Sequence, residues 1–320
     1  MPIKLTFAAL LFSSFAICAA DAPVTPAPVA APVQESASGI THVFLATGAE
    51  TYISDGEGKI LWKWAGNSRD GWAMGSGNVL LAASKSKQYP SGAIIELDKE
   101  GKTVFEFKGT QSEVDAVQPL EGGNILMTES GPKPRLMEIS REGKVVVEFA
   151  MKCQTTNFHM QTRMARKLAN GNYLVPHLID KVVREYDPTG KIVWEVKTPE
   201  EPKEAWPFTA IRLENGHTLI NCTHSNMVIE VDAAGKIVWQ LTNNDLPTPL
   251  LKDPCGAQRL PNGNTIIASY GAGGATEVKI LEVTPEKKVV WTYKSNRKGG
   301  VHEVQILGTN GKELEGKAMR

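Results

Sequence analysis

The chain is patterned as short alternations of apolar and polar residues separated by turn-forming residues, which predicts β-strands joined by hairpins. The stretch 206–241, WPFTAIRLENGHTLINCTHSNMVIEVDAAGKIVWQL, shows the unit most clearly. Asn215-Gly216 supplies the positive φ of a tight turn, and residues 232–235 form a second turn. β-Branched and aromatic residues fill the runs between the turns. The stretch therefore predicts four strands, at residues 207–213, 217–223, 227–231 and 236–241.

Both turns of this unit recur along the chain. The first turn recurs at intervals of 45 to 48 residues, at Gly77, Gly123, Gly171, Gly216, Gly263 and, less closely, Gly311. The second turn recurs in register as GKILWKW from Gly58, GKTVFEF from Gly101, GKVVVEF from Gly143, GKIVWEV from Gly190, GKIVWQL from Gly235 and KKVVWTY from Lys287. A fixed period of about 40–50 residues is the length of a four-stranded propeller blade. The repetition favours a β-propeller over an isolated meander.

The two ends of the repeat array complement each other. Only two predicted strands, at residues 41–46 and 50–54, precede the first Gly-Lys turn. The last repeat contains a first strand, at residues 301–307, and little after it. These pieces together make one blade, which closes the ring and removes its open edges. The predicted fold is an all-β, six-bladed propeller of four-stranded antiparallel blades, spanning residues 40–320, with strands from both ends sharing one blade.

The first 39 residues carry a different pattern. Lys4, an apolar run at 5–17 and small residues before Asp21 predict a signal peptide at 1–20, and hence a secreted or periplasmic protein. The apolar run is too short for a transmembrane helix. A lipoprotein signal with Cys18 as its lipidated residue is the less favoured alternative, because a small residue is expected just before that cysteine. Residues 21–39 are rich in Pro and Ala and predict a disordered tether.

Composition narrows the classes of partner. The formal net charge is zero, so no electrostatic argument favours nucleic acid or an anionic membrane. Three cysteines remain after residue 20, and an odd number cannot all pair within one chain. A disulfide between Cys222 and Cys255 remains an alternative, although the cysteine spacing does not indicate a disulfide framework. A monomer is expected.

The longest and most varied links predict where a site lies. They fall between blades, at residues 65–71, 150–158, 197–205, 242–254 and 294–300, and variable loops on a rigid scaffold are the usual place for function. We therefore expect the site on the axial face that carries these links. Side chains near that face form the candidate ligand-binding set: Trp72, Asp115, Glu129, His159, Arg163, His177, Trp206, His224, Cys255, His302 and Glu303.

This set could bind an anionic or polyhydroxyl ligand, or perform acid–base chemistry with His159 and His302 as candidate catalytic residues. A purely structural role is the alternative for both residues, since either histidine could cap the central channel through hydrogen bonds to the backbone. No metal site is predicted, because no His-x-His or His-x-x-x-His spacing is present. The repeated tryptophans at 62, 194, 239 and 291 are interpreted as blade packing. Nucleophile-elbow, phosphate-loop and dinucleotide motifs are absent from the sequence.

The repeats GKILWKW, DPTGKIVWEV and DAAGKIVWQL resemble the quinoprotein-type (PQQ-like) β-propeller repeat of secreted bacterial proteins, over about residues 40–310. The resemblance implies PQQ with calcium as the cofactor. However, the quinoprotein dehydrogenases of that type have eight blades, and their cofactor ligands cannot be matched to residues of this sequence. The sequence HEVQ at 302–305 is also similar to an axial motif of arylsulfotransferase-like propellers, which would make His302 a nucleophile. Propellers of this repeat type also serve as scaffolds in outer-membrane protein assembly.

The sequence thus favours a binding module for a small molecule or a protein at the axial face. The alternative is an enzyme at the same mouth, arylsulfotransferase-like or quinone-dependent, that uses His302 and His159.

Overall fold

The computed structural model describes residues 33–314 and 319–320, and it is built almost entirely of β-strands. Six antiparallel sheets are arranged around one axis, so the chain is a six-bladed β-propeller, as the repeats predict. Blades are numbered from 1 to 6 along the chain, and in blades 2 to 6 the first strand is the innermost. The predicted signal peptide at 1–20 lies outside the described residues.

The strands follow one another blade by blade. A short strand β1 (Val33–Glu35) precedes the outer part of blade 1, which consists of β2 (His42–Gly48), β3 (Thr51–Ser54) and β4 (Ile60–Trp64). Blade 2 consists of β5 (Ser68–Ala73), β6 (Val79–Ala83), β7 (Ala93–Leu97) and β8 (Thr103–Lys108). Blade 3 consists of β9 (Glu113–Pro119), β10 (Ile125–Ser130), β11 (Arg135–Ile139) and β12 (Val145–Ala150).

The second half of the ring repeats this plan. Blade 4 consists of the 3-10 helix η1 (Phe158–Met160) followed by β13 (Arg166–Lys167), β14 (Tyr173–His177), β15 (Val182–Tyr186) and β16 (Ile192–Lys197). Blade 5 consists of β17 (Ala205–Arg212), β18 (Thr218–His224), β19 (Met227–Val231) and β20 (Ile237–Thr242), and η2 (Asn243–Asp245) follows it. Blade 6 consists of β21 (Pro254–Arg259), β22 (Thr265–Ser269), β23 (Val278–Val283) and β24 (Val289–Lys294). The last strands are β25 (Val301–Thr309) and β26 (Lys312–Glu313).

Blade 1 closes the ring with strands from both ends of the array. β25 is its innermost strand and pairs antiparallel with β2, from Val301 opposite Gly48 to Thr309 opposite His42. The sheet order β26-β25-β2-β3-β4 confirms the shared blade that the sequence predicts. The inner edge that would otherwise stay open is paired, which removes a site for edge-to-edge association.

Local sequence explains the hairpins. Gly216 adopts φ +84°, and the turn closes with a hydrogen bond from its N–H to the carbonyl of Leu213 at 3.0 Å. In the second turn the Asp232 carboxylate accepts the backbone N–H groups of Ala234 and Lys236, both at 2.9 Å. An aspartate side chain that binds its own loop fixes the turn without tertiary help. The register of each blade is therefore largely set within the blade.

The repeated tryptophans join neighbouring blades. Three of the four indole N–H groups donate to a carbonyl in the second turn of the next blade, among them Trp194 to Ala233 at 2.9 Å and Trp239 to Pro285 at 2.8 Å. Trp62 makes the corresponding bond to Asp98 at 3.3 Å. The fourth, Trp291, donates to the side chain of Gln34 instead. The packing role predicted for these residues is confirmed, and the contact aligns the outer strand of one blade with a fixed point of the next.

A row of glutamates makes a second contact between blades. Each lies two residues before the second turn and pairs with a basic residue of the following blade, as in Glu185 with Arg212 and Glu230 with Arg259, both at 2.9 Å. The other pairs are Glu96 with Arg141, Glu138 with Lys167, and Glu282 with His42. The sequence analysis missed this row, although the glutamate recurs at one repeat position.

The predicted tether is wrong at its inner end. Residues 21–32 lie outside the described residues, but residues 33–35 form β1, which pairs with the outer strand β24. Gln34 then bridges blades 6 and 1. Its Oε1 accepts the indole N–H of Trp291 at 2.9 Å, and its Nε2 donates to the carbonyl of Asp55 at 2.7 Å. The sequence analysis did not predict the role of Gln34, because the segment around it is rich in Pro and Ala and resembles a tether.

Among the described residues, no helix is long and apolar enough to cross a lipid bilayer.

Because Gln34 carries the junction between blades 6 and 1, Gln34→Ala should lower the free energy of unfolding by about 1–3 kcal/mol through the partners it leaves unsatisfied. Urea unfolding followed by tryptophan fluorescence measures this change. The control is Glu35→Gln on the same strand, which loses only an exposed ion pair with Lys294 and should change stability by less than about 0.5 kcal/mol. Equal effects of the two substitutions would contradict the bridging role.

Candidate functional site

One residue from each blade lies at the same level of the axis, and five of these six residues line a cavity of about 370 Å³. In blades 2 to 6 this residue lies eight positions before the first turn glycine: Arg69, Asp115, Arg163, Phe208 and Cys255. His302 occupies the corresponding place in blade 1. The wall is completed by side chains of the connecting segments and of the strand ends beside them: Asn67, Lys85, Glu113, His159, Trp206, Thr223, His224, Asp253 and Tyr270.

One half of the cavity is a charged network. A guanidinium nitrogen of Arg69 lies 3.0 Å from Glu113 and also donates to Asp115. Arg163 lies 3.6 Å from Asp115 and donates to the carbonyl of Thr162 at 2.6 Å. The two arginines and the two carboxylates are nearly buried and balance one another in charge. Buried charges that are paired in this way define a rigid wall.

His159 stands at the edge of this network. It lies in η1, and its Nδ1 is 3.0 Å and 3.1 Å from the two carboxylate oxygens of Glu113. The side chain is 59% exposed, so solvent or a ligand reaches the imidazole. A carboxylate on Nδ1 fixes the orientation of the ring and leaves Nε2 for another partner.

The network shifts the pKa values of its members in opposite directions. Burial opposes ionisation of Glu113, but the hydrogen bond from His159 and the charge of Arg69 prevail and hold the pKa of its carboxyl well below its usual range. Burial raises the pKa of Asp115 in spite of the two arginines. Burial and the neighbouring charge of Arg69 lower the pKa of Arg163 to about 10. Glu113 is therefore an anion throughout the physiological range.

The other half of the cavity is aromatic. The ring of His302 is stacked on Tyr270 at 4.1 Å between centroids and 9° between planes, and the ring of Phe208 is nearly parallel to it at a centroid distance of 6.0 Å. Burial and the charges of Arg69 and Arg163 lower the pKa of His302 to about 3, so the imidazole is neutral at pH 7. Its Nδ1 is buried and has no hydrogen-bond partner among the described residues. Tyr270 remains 47% exposed and presents an aromatic face at the mouth.

A second aromatic pair lies on the rim. The rings of Trp206 and His224 are 4.3 Å apart and tilted by 38°. The backbone N–H of His224 donates to the carboxylate of Asp253 at 3.0 Å, which ties the link of blade 5 to the start of blade 6. The rim therefore combines an aromatic surface with exposed polar groups.

Six of the predicted site residues line this one cavity: His159, Arg163, Trp206, His224, Cys255 and His302. Asp115 lies directly behind its charged wall. Trp72 and Glu303 lie one level deeper in the channel, where Arg166 contacts both of them and Asp70. Burial and the charge of Asp70 raise the pKa of Glu303 to about 7, against the opposing effect of the arginines.

Two predicted residues do not reach the cavity. Glu129 is buried within blade 3, where it accepts the N–H of Thr110 at 2.6 Å and pairs with Arg135 at 2.8 Å. His177 is buried within blade 4, and its Nε2 is 3.0 Å from the hydroxyl of Tyr186. Both lie on second strands, whose side chains alternate between the two faces of the blade. An error of one residue in the predicted position of a strand therefore assigns each side chain to the wrong face of the blade.

The three cysteines of the described chain are free thiols. Cys222 is buried in the core of blade 5, and the sulfur of Cys255 lies 3.9 Å from the hydroxyl of Thr223. The sulfur of Cys153 lies 3.5 Å from Nδ1 of His177, and burial and Asp180 raise its pKa to about 12. None of the three has the depressed pKa of a reactive cysteine.

The sequence analysis missed Arg69, Glu113, Lys85 and Phe208. Arg69 and Phe208 share the offset of Asp115, Arg163 and Cys255 from their turn glycines, so a strict alignment of the repeats would have identified them. Glu113 could have been found as the residue two positions before Asp115 on the same face of β9. Lys85 lies in a link between second and third strands and carries no such signal.

The residues at the axis do not fit a calcium-bound quinone. The described residues contain no group of three or more His, Cys, Asp or Glu side chains placed to hold a metal ion. The carboxylates of Glu113 and Asp115 are already paired with Arg69, which competes with a cation for the same oxygens.

Comparisons with known proteins show the fold. No protein-family model matches the chain, and no curated protein does. A protein of unknown function from Bacteroides caccae is 21% identical, with a TM-score of 0.71 over 82% of this chain and 98% of its own. Streptogramin B lyase is 12% identical, with a TM-score of 0.58 over 86% of this chain and 98% of the lyase.

A third similar structure is a catalytically inactive histidine-to-alanine variant of virginiamycin B lyase from Staphylococcus aureus, with quinupristin. It is 13% identical, with a TM-score of 0.56 over 83% of this chain and 89% of the lyase. At these identities the similarity establishes a propeller and leaves the function to be argued from the site.

The neutral state of His302 makes a prediction about acid stability. Its pKa is about 3 in the fold and about 6.5 in the unfolded chain, so only the unfolded chain gains this proton between those values. Stability is therefore lost as pH falls from about 6.5 toward 3. His302→Phe keeps an aromatic ring in the stack and should flatten the dependence of the unfolding free energy on pH in that window.

The control is Phe208→Leu, which disturbs the same stack without removing a titrating group. It should lower stability by a similar amount at every pH. Urea unfolding at several pH values measures both variants. An unchanged slope in His302→Phe would contradict the buried, neutral imidazole.

Proposed function

We propose that this protein binds a small molecule in the axial cavity, and that the ligand is a planar aromatic molecule with a polar or acidic substituent. The observation that carries the proposal is the division of one cavity into two walls. The stack of His302 and Tyr270 forms one wall, and the paired charges around Glu113 and Arg163 form the other. Pockets with aromatic surface and a few fixed polar groups are typical of ligand sites.

Each wall supplies a different part of the recognition. An aromatic ligand stacked on the exposed face of Tyr270 gains area and ring contacts that are worth about 0.5–1.5 kcal/mol beyond burial. Polar substituents reach Lys85 and His159, both of which are at least half exposed at the mouth. The network beneath them is held by its own ion pairs, so the site needs little rearrangement to accept a ligand.

A second candidate function is acid–base catalysis in the same cavity. The specific observation is the contact of His159 with Glu113, which orients an exposed imidazole. Such a pair can accept a proton from a bound substrate at Nε2, while Glu113 stabilises the cation that forms. The similar lyase that is catalytically inactive as a histidine-to-alanine variant gives further reason to test a histidine. His302 is the less suitable base, because its imidazole resists protonation.

The signal peptide predicted at residues 1–20 supports secretion to the periplasm or beyond as part of this proposal. A protein partner at the same face is the competing occupant, which the following experiments separate from a small molecule.

Three matched probes test the ligand class: 2-naphthoate, 2-naphthol and decahydro-2-naphthoate. The aromatic acid should stabilise the protein most in a thermal-shift assay, since it uses both walls. A ligand at about 100 times its dissociation constant adds about 2.7 kcal/mol, which the assay resolves. Tyr270→Leu should weaken the two aromatic probes about 3- to 10-fold and the saturated acid little.

The control is Val104→Ala on the outer rim of blade 2, which should leave all three affinities unchanged. If the saturated acid binds as well as the aromatic one, the aromatic wall does not select the ligand. If no probe binds and the protein is captured instead by another protein through Tyr270, the small-molecule proposal is wrong.

The catalytic candidate makes a separate prediction. Any substrate found among bound molecules should lose about 10²- to 10⁴-fold in turnover in His159→Gln, with binding retained, because a general base is removed. The pH profile of kcat should lose its acidic limb in the same variant. Equal turnover in His159→Gln and the unsubstituted protein would leave binding as the sole function of the cavity.

A further inference from the structure

The segment Met319–Arg320 lies inside the central channel, beneath the cavity. Met319 exchanges two backbone hydrogen bonds with Arg259, at 2.8 Å and 2.9 Å. Arg259 ends β21, the innermost strand of blade 6, so Met319 forms an antiparallel β-bridge with the inner edge of that blade. The Met319 side chain packs against the core between blades 5 and 6. Residues 315–318, which precede the segment, lie outside the described residues.

The side chain of Arg320 is 2% exposed and reaches residues of two other blades. Its guanidinium lies 4.3 Å from the ring centre of Trp72, 3.5 Å from the carboxylate of Asp70 and 3.7 Å from that of Glu303. Asp70 and Trp72 belong to β5, and Glu303 belongs to β25. A cation over an indole and beside two carboxylates has the chemistry of an arginine recognition site.

The charges of this level require a cation in the position of Arg320. Asp70 and Glu303 are fully buried, and Arg166 is the other guanidinium that contacts them, at 2.7 Å and 3.4 Å. Without Arg320, two buried carboxylates would share one guanidinium. An uncompensated buried charge is strongly unfavourable. Burial raises the pKa of Glu303, and the charges of Arg320 and Arg166 oppose that rise, so both guanidiniums favour the ionised carboxylate.

The guanidinium of Arg320 lies farther from the carboxylates of Asp70 and Glu303 than that of Arg166 does. The three nitrogens of its guanidinium are buried and make no hydrogen bond to the described residues, and the nearest carboxylate oxygen, on Asp70, lies 3.5 Å away. Arg166, in contrast, belongs to a propeller strand and makes direct hydrogen bonds to Asp70. The segment is therefore held by backbone pairing, a cation–π contact and charge, which are the interactions that bind extended peptides to sheet edges.

We propose that the lower channel is a binding cleft for an extended, arginine-bearing peptide, and that Met319–Arg320 is its occupant within this chain. The open edge of β21 recognises the backbone, and the Asp70–Glu303–Trp72 group recognises the side chain. The same cleft accepts a peptide of this chemistry supplied as a separate molecule once its own segment is removed.

The test uses a variant that ends at Leu314 and the synthetic peptide of residues 313–320, Glu-Leu-Glu-Gly-Lys-Ala-Met-Arg. We expect saturable one-to-one binding by isothermal titration calorimetry, and recovery of the melting temperature that the shortened variant has lost. The peptide with Arg320→Ala should bind at least 10-fold more weakly, and the peptide with Arg320→Lys should fall between them, because lysine lacks the planar guanidinium.

Two protein controls complete the design. The full chain, in which the cleft is filled, should bind the peptide at least 10-fold more weakly than the shortened variant. Asp70→Asn in the shortened variant should also weaken binding. A folded shortened variant that does not bind the peptide at millimolar concentration would overturn the proposal, and so would equal binding of the Arg320→Ala peptide.

If the shortened variant does not fold, a protease site that replaces residues 315–318 in the full chain keeps the proposal testable. The protein is folded first and cut afterwards. Displacement of the cut fragment by excess peptide, followed by mass spectrometry, supports an exchangeable cleft. If the fragment stays bound in the presence of excess peptide, the segment is a permanent part of the core, and the proposal is overturned.

Discussion

The propeller depends on contacts that hold each blade at a fixed angle to the next. An indole N–H bonded to a turn carbonyl makes this contact at some junctions, and a buried glutamate paired with a basic residue makes it at others. The junctions between blades 4 and 5 and between blades 5 and 6 carry both. Blades that meet only through apolar faces could slide, since the hydrophobic effect is non-directional. The directional contacts remove that freedom. The axial ring can bring six side chains to one level because the blades are locked in this way.

The channel is organised in two levels of opposite character. The upper level combines exposed groups such as His159 and Tyr270 with a wall of paired charges, and it opens to solvent. The lower level is closed, and its carboxylates are compensated by Arg166 and Arg320. The two levels meet where Arg69 and Asp70 follow each other on β5 and His302 and Glu303 follow each other on β25. Neighbouring residues of one strand therefore serve both levels, so a ligand above and a peptide below would contact the same two strands.

The sequence predicted the fold because every blade repeats the same turns, so six weak local signals reinforce one another. The structure brings part of the predicted set of residues to one cavity. His302, Arg163 and Cys255 reach it because they lie near the starts of axial strands. Glu129 and His177 do not, because side chains alternate along a second strand, and a small error of register exchanges the two faces. The partners Arg69 and Glu113 are joined across 44 residues by a contact that no local pattern encodes. Nothing in the composition of their surroundings distinguishes Gln34 or Arg320.

The shared blade has a consequence for how the chain folds during synthesis. β2 and β25 are about 260 residues apart in sequence, so blade 1 stays incomplete until β25 has left the ribosome. Contacts of such long separation are slow to form, because the chain must first lose the entropy of closing a very large loop. During that interval β2 presents an unpaired edge to other chains. Ring closure therefore protects the finished protein from association but leaves the growing chain open to it. A chaperone that covers the edge of β2 would prevent association during this interval.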